Sequence, residues 1–208
     1  MTVPIVVPMK ALAASKQRLA GVVSPERRAA LSLWMMERVV QVACSISDVL
    51  VIGGDERVAQ RALALGARWE ADPWGDLNAV LQEALEVRPE GMLFIAGDLP
   101  LVTAADVRAL IDGDCVMLAR GRRDGTNAVF APPGEPFRFS MGEGSYPRHA
   151  ASLRGAWRPY VSPSLEADVD LPEDLAELER VLPELWKVIE PDHPGPRLPR
   201  PALRASSQ

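Results

Sequence analysis

The chain has 208 residues, of which 48% are hydrophobic and 25% are charged, and this is the composition of an ordinary globular domain. Its formal net charge of −5 argues against a protein that binds nucleic acid through a broad basic face. Three of the 23 basic side chains are lysines and the other 20 are arginines. Length and composition favour one domain with a substantial hydrophobic core.

The sequence gives little support to membrane insertion, secretion or cysteine chemistry. No apolar run approaches the roughly 20 residues of a membrane span, and the N-terminal segment lacks the basic region of a secretory signal. Cys44 and Cys115 have neither the spacing of a zinc site nor that of a disulfide framework. We therefore expect a cytoplasmic protein that does not bind membranes.

Short β-rich runs alternate with helical patterns along most of the chain. Strands are predicted at Val3 to Val7, Val49 to Ile52, Met92 to Ile95, Val116 to Leu118 and Ala128 to Phe130. Helices are predicted to begin at Ser24-Pro25 and after Pro172, and to cover about 55–65, 77–87 and 103–112. This alternation predicts a three-layer α/β fold with a mainly parallel sheet, in which ligands collect beyond the C-terminal ends of the strands.

Two segments interrupt the alternation. Residues 131–149 are rich in Pro and Gly, and we interpret them as an excursion over the active-site edge. Residues 191–208 are rich in Pro and Arg with few apolar anchors, which predicts a disordered tail. Residues 1–190 are therefore expected to form a single domain.

Cationic side chains cluster in the segment after the first predicted strand. Lys10, Lys16 and Arg18 lie there among small residues, and their charges suit a polyphosphate ligand. A solvated helix start explains the same pattern about equally well. The scarcity of lysine favours the phosphate site, because two of the three lysines fall in this segment. The Walker sequence of P-loop proteins is absent.

Carboxylates follow two of the predicted extended segments. Asp98 comes directly after a buried strand, where it is suited to hold Mg²⁺ or, alternatively, to close a turn. Asp168 and Asp170 alternate on an extended segment, so both side chains are expected on one face. Asp170 is also suited to cap the helix that follows. Glu173 and Asp174 lie in the first turn of that helix and are assigned to structure.

Three further candidate sites are uncharged: one at Thr126, one at Gly142 to His149, and one at Asn78. Thr126, Gly142 and Ser145 offer hydroxyl or backbone N–H groups for a phosphate or carboxylate, although each motif is weak alone. For His149 we favour a hydrogen-bonding role over catalysis. Asn78 suits the edge of a base or ribose, but a plain helix start explains it equally well.

The order of these motifs resembles one family. The motifs are P-x-K with S-K-x-R-L, then L-N-x-A, G-D-L-P-L, G-T-N-A, G-x-x-S-x-x-x-H and D-V-D-x-P-E-D-L. They are similar to those of the 2-phospho-L-lactate and phosphoenolpyruvate guanylyltransferases of coenzyme F-420 biosynthesis, over Val3 to about Leu182. The resemblance implies a nucleotide-diphospho-sugar-transferase-like, Rossmann-like nucleotidyltransferase fold. It also implies Mg²⁺-dependent transfer of GMP from GTP to the phosphate of a small acid, with release of diphosphate.

The resemblance further implies a role for each candidate residue. Asp98 and Asp170 would hold the metal, with Asp168 assisting. The nucleotide would contact Lys10, Lys16, Arg18 and Asn78, and the residues that take part in catalysis would be Asp98, Lys16 and Lys10. Thr126, Gly142 and Ser145 would seat the acid. Leu171 stands where the family often has Thr, so Asp170 is expected both to cap a helix and to bind metal.

Several alternatives stay open at the level of sequence. Phosphoenolpyruvate is favoured as the acid substrate, but 2-phospho-L-lactate and 3-phospho-D-glycerate fit the same motifs. Another nucleotidyltransferase of the molybdenum-cofactor type is disfavoured because its L-A-G-G-x-S-x-R opening is missing. A nucleotide-sensing module without activity on the same fold is a further alternative. For the enzyme itself, a homodimer and hand-over of product to the next pathway enzyme also stay open.

Overall fold

The computed structural model describes residues 2–72 and 75–189, and seven strands in them form one sheet. The strands are β1 Ile5–Met9, β2 Val49–Gly53, β3 Arg68–Glu70, β4 Met92–Ile95, β5 Val116–Arg120, β6 Thr126–Ala131 and β7 Trp157–Tyr160. Their order across the sheet is β3-β2-β1-β4-β6-β5-β7. β6 alone runs antiparallel to its neighbours in this described sheet. The prediction of a mainly parallel sheet is confirmed.

Helices cover both faces of the sheet. In the described residues they are α1 Pro25–Cys44, α2 Glu56–Ala64, α3 Leu77–Glu86, α4 Ala104–Ile111, α5 Ser145–Ser152, α6 Pro163–Glu166, α7 Pro172–Val181 and α8 Leu185–Ile189. All five predicted helices are present. Ser24 caps α1, since its Oγ accepts from the backbone N–H of Arg27 at 3.4 Å. Thr103 and Asp106 form a capping box at the start of α4.

Alternate side chains of the central strands enter two separate cores. Ile5 and Val7 pack with Met36 of α1 on one face of the sheet. Val6 packs with Leu81 of α3 on the other face. Burial on both faces is why these strands appear in the sequence as continuous apolar runs. A third cluster joins α1 to α7 and α8, and the three-layer architecture is thus confirmed.

The predictions missed the two edge strands. β3 has three residues, two of them exposed, and β7 has no fully buried residue. An edge strand pairs on one side only and these two are little covered, so they lack the apolar run that marks the central strands. The first strand also lies two residues later than predicted, so that it ends at Met9, directly before Lys10.

The Pro- and Gly-rich segment combines core packing with a helix. Phe137 and Phe139 are buried in the core that contains α3, and α5 begins at Ser145. The segment is therefore more regular than the sequence predicted. The predicted tail, 191–208, lies outside the described residues. Among the described residues, no helix has both the length and the apolarity needed to span a membrane.

Candidate active site

A cleft of about 690 Å³ lies at the edge of the sheet where β1 and β4 end. Because β6 runs antiparallel to β4, its first residues lie at this same edge. Nine of the ten residues to which the motif resemblance assigns a site role line the cleft: Lys10, Lys16, Arg18, Asp98, Thr126, Gly142, Ser145, Asp168 and Asp170. The topology therefore brings motifs from the whole length of the domain into one site, as expected for an α/β sheet.

Lys16 joins two carboxylates at one end of the cleft. Its Nζ donates to Asp98 Oδ2 at 2.6 Å and to Asp170 Oδ1 at 2.8 Å. The Lys16 side chain is only 8% exposed, whereas those of Asp98 and Asp170 are 28% and 37% exposed. The two carboxylates therefore share one cation, the Lys16 ammonium. The carboxylates are open to the cleft, whereas the lysine is not.

The ionisation of this group follows from its geometry. Burial by itself lowers the pKa of Lys16, but the charges of Asp98 and Asp170 outweigh burial and raise the pKa above its usual value. Burial would raise the pKa of Asp170, and the Lys16 ammonium reverses that shift, so that the pKa is lowered. Lys16 is therefore protonated and Asp170 ionised at neutral pH.

The backbone around Lys16 is held in an uncommon conformation. Lys16 has φ 47° and ψ 39°, in the left-handed region that non-glycine residues seldom adopt. Ser15 Oγ donates to the carbonyl of Leu12 at 2.7 Å, and Ser32 Oγ of α1 donates to Ser15 Oγ at 2.9 Å. The Leu12 N–H donates to Asp55 Oδ2 at 2.9 Å. These bonds anchor the loop to α1 and to the start of α2, and so direct the lysine side chain into the cleft.

Lys10 and Arg18 lie on the same loop and are exposed. Arg18 reaches Asp170, with 4.0 Å between its NH1 and Asp170 Oδ2. Because both side chains border the cleft without being buried, they can contact an anionic ligand at low desolvation cost.

Asp168 does not join Asp98 and Asp170 around Lys16. Its Oδ1 accepts from the Arg122 backbone N–H at 2.8 Å and from Asn127 Nδ2 at 2.9 Å, and its Oδ2 accepts from Arg123 at 3.3 Å. Burial raises the pKa of Asp168. Asp168 and Asp170 therefore have different partners, because N–H donors of Arg122, Arg123 and Asn127 contact the Asp168 carboxylate. Within the described ranges, no group of three or more His, Cys, Asp or Glu side chains is arranged to hold a metal.

Asp174 takes over the capping role that the sequence assigned to Asp170. Its Oδ2 accepts from the backbone N–H groups of Asp170 and Leu171, at 2.9 and 2.8 Å. It also pairs with Arg122 at 2.7 Å and Arg123 at 2.8 Å. Burial opposes ionisation, but these donors lower the pKa of Asp174 to about 2. The Asp170 carboxylate is thereby left free to contact Lys16, and the assignment of Asp174 to structure agrees with its contacts.

Elsewhere in the cleft, uncharged side chains form a second group, which we call its neutral end. Thr126 Oγ1 lies 3.0 Å from His149 Nδ1 and accepts a hydrogen bond from Ser145 Oγ at 3.0 Å. His149 Nε2 accepts from the Ser140 backbone N–H at 2.8 Å. Burial, aided by the charge of Arg148, lowers the pKa of His149 to about 4, so the ring is neutral at pH 7.

The glycines between these residues are required by the backbone. Gly142 has φ +121° and Gly144 has φ +64°, and side chains other than glycine are strained at such angles. Gly144 directly precedes α5, so these turns place Ser145 at the first position of the helix beside Thr126.

Asn78 has a different environment from the one expected. Its Oδ1 accepts from the backbone N–H of Met141 at 2.5 Å, and the residue is not part of the cleft lining. Asn78 thus ties the start of α3 to the loop that carries Gly142. The Asn78 amide oxygen is thus bonded within the protein, because the 131–149 segment folds back over α3.

Four residues of the site were not identified from the sequence. Arg122 and Arg123 line the cleft and form ion pairs with Asp174. Asn127 donates a hydrogen bond to Asp168, and Ser32 donates one to Ser15. Arginine is so frequent in this chain that the Arg122-Arg123 pair did not stand out. Asn127 belongs to the G-T-N-A motif, and that position was the available signal.

The fold is similar to that of nucleotidyltransferase-type α/β proteins of known structure. A solved structure described as a nucleotide-diphospho-sugar transferase from Desulfovibrio desulfuricans G20 matches 87% of this chain and 88% of its own, with a TM-score of 0.64. A nucleotidyl transferase from Methanothermobacter matches 88% of this chain and 99% of its own, with a TM-score of 0.57. Their sequence identities of 17% and 13% make these likenesses of fold.

The sequence comparisons define the family. Residues 3–180 match the family model described as "Guanylyl transferase CofC like". A phosphoenolpyruvate guanylyltransferase from Rubrobacter xylanophilus is 39% identical over 193 residues, which are 86% of this chain and 94% of the relative. Another, from Chloroflexus aggregans, is 35% identical over 83% of this chain and 95% of its own. The chain belongs to the CofC-like guanylyl transferase family, and is therefore an enzyme.

Proposed function

We propose that this enzyme transfers GMP from GTP to the phosphate of a small phosphorylated carboxylic acid and releases diphosphate. The observation that carries the proposal is that one cleft contains two kinds of group. At its charged end Lys16 lies between two carboxylates, and at its neutral end Thr126, Gly142 and Ser145 offer hydrogen bonds. The first end suits a metal-bound triphosphate, and the second suits a compact anion. Family membership supports guanylyl transfer.

Asp98 and Asp170 are the residues that would hold Mg²⁺. A carboxylate oxygen from each lies within 2.8 Å of one ammonium nitrogen, so the pair already surrounds a position suited to a cation. Hard cations such as Mg²⁺ prefer one or two carboxylates together with phosphate oxygens. When bound, the ion would neutralise charge on the phosphate oxygens and help to align the two reactants. Asp168 would support this site indirectly, by holding the loop that contains Arg122.

Lys16, Lys10 and Arg18 would contact the triphosphate. Both reactants are anionic, so much of the barrier comes from bringing like charges together in line. Fixed cations lower that barrier where charge develops on the bridging oxygen and on the departing diphosphate. Lys16 is held beside the carboxylates, whereas Lys10 and Arg18 are exposed at the border of the cleft and would fold over the phosphates.

The acid would bind at the end formed by Thr126, Gly142 and Ser145. An oxygen of its phosphate forms a bond to the α-phosphorus of GTP, and the bond from that phosphorus to the β-phosphate oxygen breaks. Diphosphate departs with the electron pair. The attacking oxygen is already ionised, so no side chain has to remove a proton from it.

The choice of substrates draws on the relatives. Those named phosphoenolpyruvate guanylyltransferase support GTP and favour phosphoenolpyruvate over 2-phospho-L-lactate and 3-phospho-D-glycerate. From the motif resemblance we propose a role in coenzyme F-420 biosynthesis, and we propose a cytoplasmic location, where GTP and such acids are available. Membership of the family disfavours the alternative of a molybdenum-cofactor type nucleotidyltransferase.

The test is diphosphate release from GTP and Mg²⁺ with each of the three acids in parallel, and with ATP and CTP in place of GTP. We expect release with GTP and phosphoenolpyruvate, and little release when either Mg²⁺ or the acid is left out. Saturable GTP binding without release in any mixture would instead support a nucleotide-sensing module.

A further inference from the structure

The uncharged end of the cleft contains a hydrogen-bond chain whose proton positions can be assigned. The chain runs from the Ser140 backbone through the His149 ring to Thr126, and Ser145 joins it at Thr126. His149 is fully buried, and its ring centroid lies 5.2 Å from that of Phe137 and 6.4 Å from that of Phe139. This packing holds the orientation of the imidazole.

The Ser140 backbone determines the tautomer of His149. A backbone N–H can only donate, and it lies 2.8 Å from His149 Nε2, so Nε2 has to carry a lone pair. A neutral imidazole then carries its proton on Nδ1. That proton faces Thr126 Oγ1 at 3.0 Å, and His149 therefore donates to the threonine.

Thr126 consequently receives two hydrogen bonds. One comes from His149 Nδ1 and the other from Ser145 Oγ. A hydroxyl oxygen has two lone pairs and one proton, so both of its acceptor sites are occupied and its proton is left to donate. In the described part of the chain no acceptor is bonded to that proton, and Thr126 lies in the lining of the cleft.

We infer that His149 is a positioning residue that makes the Thr126 hydroxyl an obligatory donor toward the anionic group of the acid substrate. This inference rests on the proposed function, because it concerns the site assigned to the acid. A ligand that presents an ionised phosphate or carboxylate oxygen accepts the proton. A ligand that presents a neutral hydroxyl oxygen also accepts it, but forms a weaker hydrogen bond than an ionised oxygen does.

Two substitutions separate the two hydrogen bonds of His149. The amide of asparagine reaches the position of Nδ1, so His149→Asn retains a donor for Thr126 but loses contact with Ser140. The amide of glutamine reaches the position of Nε2, so His149→Gln retains the Ser140 contact and loses the donor for Thr126. The matched partners of this pair are Thr126→Val, which removes the hydroxyl, and Thr126→Ser, which keeps it.

The experiment measures KM for phosphoenolpyruvate and for GTP in diphosphate release, with the melting temperature of every variant. We expect His149→Gln and Thr126→Val each to raise KM for the acid about tenfold or more, as for a lost hydrogen bond to a charged group, with KM for GTP unchanged. His149→Asn and Thr126→Ser should raise it less. The double variant His149→Gln/Thr126→Val should be no worse than Thr126→Val, because the histidine acts through the threonine.

Two results would overturn the inference. The first is a double variant whose KM for the acid is raised by the product of the single effects. The second is a proton on Nε2, read from the ¹⁵N shifts of His149 in the resting protein, and this measurement needs no substrate. Wild-type protein that releases no diphosphate would count against the proposed function, whereas the ¹⁵N shifts would still decide the tautomer.

Discussion

The two ends of the cleft differ in charge and in the kind of contact that they offer a ligand. The charged end places the Lys16 ammonium between the carboxylates of Asp98 and Asp170. The neutral end places Thr126 between two donors and has no charged group in the hydrogen-bond chain itself. Coulombic attraction depends weakly on where a proton sits, whereas a hydrogen bond depends on it fully. The charged end is thus suited to a highly charged triphosphate, and the neutral end to a single ionised phosphate or carboxylate oxygen.

The two ends also differ in how the chain assembles them. Lys16 is separated from Asp98 by 82 residues and from Asp170 by 154. Thr126 is only 19 residues from Ser145 and 23 from His149. The charged end therefore requires the whole sheet to form, while the neutral end is formed by β6, α5 and the segment that joins them. Substitutions at the two ends should accordingly affect different properties of the enzyme.

The largest expected effect is that of Asp98→Asn at the charged end. Loss of one carboxylate charge should lower kcat about a thousandfold or more, because stabilisation of developing charge is lost. The melting temperature should change little, since Lys16 keeps its bond to Asp170. Asp112→Asn, at the exposed end of α4, is the control in the diphosphate-release assay. Near-normal kcat in Asp98→Asn would remove Asp98 from the mechanism.

The neutral end should make folding stability depend on pH. The pKa of His149 falls from 6.5 to about 4 on folding. Between these values the unfolded chain binds a proton that the native protein does not, so stability falls as pH drops from 6.5 toward 4, by up to about 3 kcal/mol. Urea unfolding at pH 7, 5.5 and 4.5 measures this slope, which His149→Gln should reduce. Equal pH dependence of stability in wild type and His149→Gln would show that His149 is not its source.

The contribution of Asp174 to folding stability should be lost at a lower pH than that of His149. Asp174 has a native pKa of about 2 against an ordinary value of 3.8, so its contribution is complete above 3.8 and is lost as pH falls through about 2. Asp174→Asn should cost about 2 kcal/mol at pH 7. Glu173→Gln, at an exposed site on the same turn, is the matched control in urea unfolding. A variant as stable as wild type would show that the Arg122 and Arg123 pairs contribute nothing.

The smallest expected change in stability is that of Lys16→Met. In metal-free protein the carboxylates of Asp98 and Asp170 would lose their shared cation, at a cost of about 1–2 kcal/mol because both are partly exposed. Mg²⁺ should restore more stability to this variant than to wild type or Lys16→Arg. The measurement is urea unfolding at pH 7 with and without Mg²⁺. An equal response of all three proteins would argue against a cation site at Asp98 and Asp170.

Local signals in the sequence determined much of the fold. Continuous apolar runs predicted the five central or doubly covered strands, and Ser24, Thr103 and the Pro172 step predicted helix starts. Because parallel strands end at one edge of the sheet, the same signals also predicted a ligand site at that edge, where nine of the ten residues with an assigned site role line one cleft. The positions of the strands, of the helix starts and of the site depend on hydrophobic periodicity and chain direction, and short segments of sequence are sufficient to determine both.

The partner of each side chain was decided by the tertiary structure. Asp168 and Asp170 share a motif, yet one binds the loop at Arg122 and the other binds Lys16. Asn78 faces the backbone of Met141 because a segment distant in sequence folds over it. The tautomer of His149 depends on the Ser140 backbone in the same way. A hydrogen bond is set by position and direction in space, and segments far apart in the chain acquire these only when the sheet has formed.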